Sequence, residues 1–153
     1  MKLVYSESGI EFTKRFEGLR REAYRDAGGV WTIGYGHTGV EVHEGLIWTP
    51  EQAEEALRMD IAGPVGFVNR VVKQPLEQRQ FDALVDFCFN CGAGNLERSE
   101  LLRKVNAGDM RGAAAQFGLW VHDANGATLP GLVARRRAEV EMFLGAPGPE
   151  EAE

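Results

Sequence analysis

Apolar residues at Phe12, Phe16 and Leu19 recur at three- and four-residue steps, the period of one helical face. Ser8 and Glu11 stand three apart before them, the spacing of a capping box, and Gly18 is a plausible stop. The pattern predicts a helix that begins at Ser8 and carries Glu17 in its last turn. The period then changes. DAGG (26–29) is turn chemistry, and VWTIGYG (30–36) is β-rich with two glycines that permit tight bends or close backbone approach. A second helix opens at Thr49, with Pro50 at its first position and Gln52 completing a capping box. It continues through Ala53, Ala56, Leu57 and Ile61. Gly63 and Pro64 are expected to kink or break it.

Beyond Pro75 the signal is helical throughout. Phe81, Leu84, Val85 and Cys88 mark a strongly apolar helix that should stop at NCGAGN (90–95). Ser99 can cap a short helix ending near Asn106 and Gly108, and Asp109 another that reaches Trp120. HDANGATLPG (122–131) reads as loop, and LVARRRAEVEMFL (132–144) as the last helix. The acidic, proline-containing tail is expected to be mobile.

The predicted fold is α+β and mostly helical. It has a small α/β lobe at about 9–62 with a β-hairpin or sheet, a connecting helix, and a helical lobe at about 64–145 with the N-terminal helix. One domain thus spans 1–146, followed by the tail at 147–153. No internal repeat is visible. Two lobes joined by a helix leave a cleft, a common place for a ligand.

Composition changes this picture little. A chain of 153 residues, 44% hydrophobic and 26% charged, has the size and make-up of one globular domain. Its formal net charge of −6 argues against a nucleic-acid binder and leaves an anionic polymer to be held by local contacts. No apolar run reaches the roughly 18 residues of a membrane span, and MKLVYSESGIEF lacks the apolar stretch of a secretory signal. The expectation is synthesis in the cytosol without a membrane anchor. Cys88 and Cys91 form a C-x-x-C pair inside an apolar helical pattern, without a second pair or a clustered histidine. Buried structural thiols are expected rather than a redox or metal site.

Three polar residues stand out near the first helix. Glu17, at the negative end of a helix dipole and among Phe16 and Leu19, is expected to favour its neutral form. Asp26 starts a glycine-containing turn whose backbone N–H groups can bind a carboxylate. Thr32 places a hydroxyl in the following strand. A neutral acid facing an ionised one is the arrangement for glycosidic bond cleavage, and a hydroxyl beside the second could hold a water. Spacing alone does not settle it. Singly, each residue reads more simply as a solvated Glu, a turn Asp and a strand Thr.

The segment FEGLRREAYRDAGGVWTIGYGHT (16–38) closely resembles the active-site stretch of phage-type lysozymes, glycoside hydrolase family 24. That family carries a Glu, eight residues, an Asp, five residues and a Thr, and Glu17, Asp26 and Thr32 match those gaps. The resemblance continues in FNCGAGN, ERSELLRKVNAGD, AAAQFGLWV and GLVARRRAEVEMFL, over roughly residues 8 to 144. It implies a lysozyme-like two-lobed fold and an endolysin muramidase that hydrolyses the β-1,4 bond between N-acetylmuramic acid and N-acetylglucosamine in peptidoglycan. Glu17 would be the general acid, Asp26 a base or electrostatic partner, and Thr32 the residue that positions water. The family is read as inverting, which predicts carboxyl groups about 6.5 to 9.5 Å apart.

The resemblance also implies lesser roles. His37 would be structural or substrate-binding, in an ion pair with Asp60. Asn90 would contact sugar or cap its helix. Arg136 falls within the apolar stripe Leu132, Val133, Val140, Phe143 and Leu144, and a buried arginine needs an acidic partner. Arg135 or Arg136 is expected to approach Glu17, with Arg135 preferred; such a contact would favour the ionised form of Glu17. No cofactor or metal is implied. A monomer is expected, reaching the wall from the host cytoplasm through a holin-type pore. Two rivals are a lytic transglycosylase, which needs no second carboxylate, and a catalytically silent wall-binding or virion module, which would be expected to lose one of the three residues.

Overall fold

Ser6, not Ser8, opens the first helix. Its hydroxyl accepts the Gly9 N–H at 3.0 Å, and α1 runs Glu7–Glu17. The same hydroxyl donates to the carboxylate of Asp82, which also accepts the Ser6 N–H at 3.2 Å. A cap whose own proton has a buried acceptor prevails over one specified only by local spacing. The computed structural model describes residues 2–145, so the acidic tail expected at 147–153 lies outside the described residues. Among these the chain is α+β, with seven helices and one three-stranded sheet. It divides into two units, one of Ile10–Gly63 and one of the residues before Ile10 and from Pro64 onward.

The smaller unit holds the sheet, antiparallel in the order β1 (Arg20–Arg25), β2 (Trp31–Gly34) and β3 (His37–Thr38). Thr32 pairs with Tyr24 on one side and Thr38 on the other. The sequence RREAYR gave no strand signal because charges occupy both faces. Backbone bonds supply what side-chain pattern lacks. Beyond its pairing with β2, β1 receives Trp48 N–H on Arg21 O at 2.8 Å and gives Ala23 N–H to Leu46 O at 2.9 Å. Arg20 lies over the Tyr24 ring and Arg25 over Trp31, so the basic residues cover the aromatic ones. Ile10, Ile33, Val42, Ala53 and Leu57 are buried beneath.

Helix α2 (Pro50–Val71) starts as expected, with reciprocal bonds between Thr49 and Gln52. It then continues through Gly63 and Pro64, so the expected break does not occur. Proline inside a helix costs about 3 kcal/mol. Burial of Ala53, Leu57 and Ile61 before it and Val68 after it secures the helix on both sides.

The larger unit continues with α3 (Gln78–Cys91), α4 (Ala93–Glu97), α5 (Glu100–Asn106), α6 (Met110–Phe117) and α7 (Pro130–Leu144). Ser99 and Asp109 cap α5 and α6 by accepting the N–H groups of Leu102 and Gly112. Helix α6 ends at Phe117, short of Trp120, and the five-residue α4 begins inside the expected stop, at Ala93. Phe87, Phe117 and Phe143 stack edge-on and tilted in the core. Of the predicted stripe of α7, Phe143 and the Arg136 within it are buried; Arg135 and Glu139 are buried with them, Leu132, Val133 and Val140 are half-buried, and Leu144 is half exposed.

Candidate active site

Glu17 is the last residue of α1. Gly18 follows with φ +73°, and its N–H closes the helix on Lys14 O at 2.9 Å. The half-buried Glu17 carboxyl group rests against the Gly34–Gly36 turn between β2 and β3. A Cβ placed on Gly36 would lie 2.8 Å from Glu17 Oε1, and Gly36 has φ +80°. The backbone conformation demands glycine there, and any added methyl would push the carboxyl end aside. The second glycine of TIGYGHT is therefore the seat of the acid.

Asp26 directly follows β1. Its Oδ1 accepts two backbone N–H groups, from Gly28 and Val30, each at 2.9 Å. Its own N–H and carbonyl close the turn with Val30 and Gly29. The carboxylate is thus oriented by the loop it begins, while remaining exposed. Thr32 is 4% exposed, and its hydroxyl donates to Val30 O at 2.9 Å. With its proton committed, Thr32 Oγ1 can only accept a further hydrogen bond. Val30 is the common partner, with its N–H on Asp26 and its carbonyl on Thr32. The structure brings Glu17, Asp26 and Thr32 into one unit, on a helix end, a turn and a strand.

His37 meets Asp60 as the resemblance implies, Nδ1 to Oδ2 at 2.7 Å. Its Nε2 meets Glu41 Oε1 at 2.6 Å, a partner that sequence reasoning missed because residues 37 to 41 form no helix. The ring also packs against Trp48 at 5.3 Å. Burial lowers the His37 pKa, but the hydrogen bonds and charges of Glu41 and Asp60 outweigh it, and the net shift is upward.

In the larger unit, Arg135 and Arg136 find acids. Arg135 is 4% exposed and grips the fully buried Asp86 with two bonds, Nε to Oδ2 at 2.9 Å and Nη2 to Oδ1 at 2.8 Å. Arg136 donates from Nη2 to Glu139 Oε2 at 3.1 Å and to Asn90 Oδ1 at 2.5 Å, and from Nη1 to Cys91 Sγ at 2.6 Å. Its Nε lies 2.8 Å from Glu139 Oε1 without hydrogen-bond alignment. Burial pushes Glu139 well above the usual carboxylate range, helped by its hydrogen bond to Asp86 and that group's charge, against both arginines. Asp86 and Glu139 carried no sequence signal beyond their place on otherwise buried helix faces. Burial pushes the Cys88 thiol up to about 11 and also raises Cys91 against the pull of Arg136. Both cysteines are free thiols; Cys88 is buried as expected, while Cys91 is only half-buried.

Comparison with known proteins first defines the class. The chain superposes on the endolysin of Escherichia coli O157:H7 phage FAHEc1 with a TM-score of 0.89 at 37% identity, covering 96% of this chain and 97% of the other. It superposes on the muramidase domain of SpmX from Asticaccaulis excentricus with a TM-score of 0.88 at 42% identity, covering 94% and 99%. The fold is lysozyme-like. The phage lysozyme family model matches residues 14–139, and this chain belongs to that family. It is 45% identical over 144 residues to the endolysin of Acyrthosiphon pisum secondary endosymbiont phage 1, covering 92% of this chain and 98% of that protein. It is 43% identical to the endolysin of Bacillus phage B103, of which it spans 53%. Its function is that of an endolysin of the muramidase type, a glycoside hydrolase.

Proposed function

We propose that this chain hydrolyses the β-1,4 bond between N-acetylmuramic acid and N-acetylglucosamine in peptidoglycan, with inversion at the anomeric carbon. Glu17 gives its proton to the leaving glycosidic oxygen. Asp26 takes a proton from a water on the opposite face of the sugar, and that water attacks the anomeric carbon. Thr32 Oγ1 accepts the water's other proton and aims its lone pair. The observation that carries this reading is the fixed polarity around Val30. Its N–H anchors Asp26 Oδ1 and its carbonyl takes the Thr32 proton, so two acceptors are presented to one water.

Among the described residues no helix is long and apolar enough to cross a membrane. In this proposal the enzyme is a monomer made in the host cytoplasm. It acts on the wall after the membrane is permeabilised by a holin-type pore.

Digestion of purified peptidoglycan by wild type and Glu17→Gln, with mass analysis of the fragments, tests the reading. Wild type should leave reducing N-acetylmuramic acid ends, and the variant should lose activity by about 10²–10⁴-fold. Anhydro ends would make the protein a lytic transglycosylase. No cleavage by folded wild type would leave a wall-binding module.

A further inference from the structure

In a chain with 23 acidic and 17 basic residues, an arginine without a carboxylate stands out. Arg58 and Arg103, both exposed, each hold a glutamate. Arg20, exposed at the start of β1, holds none among the described residues. Its guanidinium lies instead over the Tyr24 ring, 4.1 Å from the centroid. A cation over a ring is attracted without spending a hydrogen bond, so its N–H donors stay available. The place of this platform follows from strand register, within the smaller unit. Tyr24 pairs with Thr32 across the ladder, and paired residues share a sheet face. Arg20 pairs with Gly34, which sets no side chain opposite it. Arg20, Tyr24 and Thr32 therefore form one row on one face. Arg25 lies 4.8 Å over Trp31, its own ladder partner, and by the two-residue period that pair belongs to the other face.

We infer that Arg20, held by Tyr24, binds a carboxylate on the side arm of the muramic acid whose bond is cut, and so selects charged wall glycan over neutral glycan. This rests on the muramidase reading. In that reading hydrolysis leaves N-acetylmuramic acid at the reducing end, so the anomeric carbon attacked by the Thr32-bound water belongs to muramic acid. The same ring carries a lactyl arm, which ends in a carboxylate or continues into a peptide with carboxylates of its own. A ring whose anomeric carbon meets water at Thr32 brings that arm to the sheet face of Arg20. The chain's net charge of −6 repels an anionic polymer at long range, so a local cation with free donors is the means of holding one. Arginine suits a planar carboxylate because its fork makes two parallel bonds.

Steady-state kinetics on soluble, uncross-linked peptidoglycan strands test this. Three substrates are compared: native strands, strands whose carboxyl groups have been converted to amides, and strands freed of peptide by an amidase. Arg20 is exposed, so Arg20→Gln should keep the fold, and thermal melting checks it. The variant should raise KM on native strands about tenfold, the size of one lost charge-assisted contact, with kcat nearly unchanged. Amidation should raise the wild-type KM by a similar factor, a result that needs no variant. On amidated strands wild type and Arg20→Gln should then agree. Arg25→Gln removes the same charge from the other face and should keep the wild-type KM on every substrate. An Arg20→Gln effect that persists on peptide-free strands assigns the contact to the lactyl carboxylate, and one lost there assigns it to the peptide. A wild type indifferent to amidation, an unchanged KM in folded Arg20→Gln, or an equal rise in Arg25→Gln would overturn the site, while wild-type cleavage keeps the muramidase reading. A folded wild type that cleaves none of the three would overturn both.

Discussion

Two regions of this molecule handle charge in opposite ways. In the smaller unit, Asp26 is exposed and oriented by backbone N–H groups, and Glu17 rests on a glycine turn. In the larger unit, Arg135, Arg136, Asp86 and Glu139 are buried and oriented by one another. A carboxylate held by backbone keeps a free edge for a substrate or a water. A carboxylate held by a guanidinium fork has its oxygens committed and serves packing. The first arrangement costs little in stability and is suited to chemistry. The second is costly to disturb and fixes the position of neighbouring groups.

The contrast predicts effects of different kind. Asp26→Asn should lower the rate of peptidoglycan cleavage by about 10²–10⁴-fold. Its melting temperature should stay close to wild type, since the amide oxygen can still accept both turn N–H groups. A large fall in melting temperature with retained activity would reverse the assignment. Asp86→Ala should do the opposite. It takes the bidentate partner from a buried arginine and should destabilise by about 3–5 kcal/mol, read by urea denaturation. A change under about 1 kcal/mol would mean that the pair does not hold α3 to α7.

Gly36→Ala lies between these. A side chain at φ +80° costs about 1–2 kcal/mol, and the new methyl would displace Glu17 Oε1. Stability and activity should therefore fall together, and activity by more than a general loss of folded protein explains. A fully active variant would show that Glu17 does not need its seat.

The smallest effect is a pH dependence. The His37 pKa is raised in the folded state above its ordinary value near 6.5. Its pairing with Asp60 and Glu41 therefore stabilises fully below about pH 6.5 and is lost as pH rises through the folded value. The melting-temperature advantage of wild type over His37→Gln should shrink between pH 6 and pH 9. An advantage that grows over that range would mean that the histidine is held neutral.

Much of this was readable in advance, where the signal was local. Ser99, Asp109 and the Thr49–Gln52 pair announce their helices because caps act over three residues. The Glu17, Asp26 and Thr32 spacing locates the candidate site, although resemblance rather than spacing gives it a meaning. What stayed hidden depends on distant partners. Strand β1 is held by backbone bonds to Leu46 and Trp48, which its charged side chains do not report. Ser6 caps α1 because Asp82, seventy-six residues away, takes its proton. On α7 the apolar stripe pointed to Arg136, but the burial of Arg135, which depends on Asp86 of α3, and of Glu139 was not legible in it.

The central claim is that Asp26 and Thr32 direct a water to the face of the sugar opposite Glu17. Proton NMR of the reducing end in the first minutes of digestion tests it most directly. The α-anomer should appear first, by inversion of the β-linkage, and then equilibrate. Initial release of the β-anomer would mean retention, and would contradict the role assigned to Asp26.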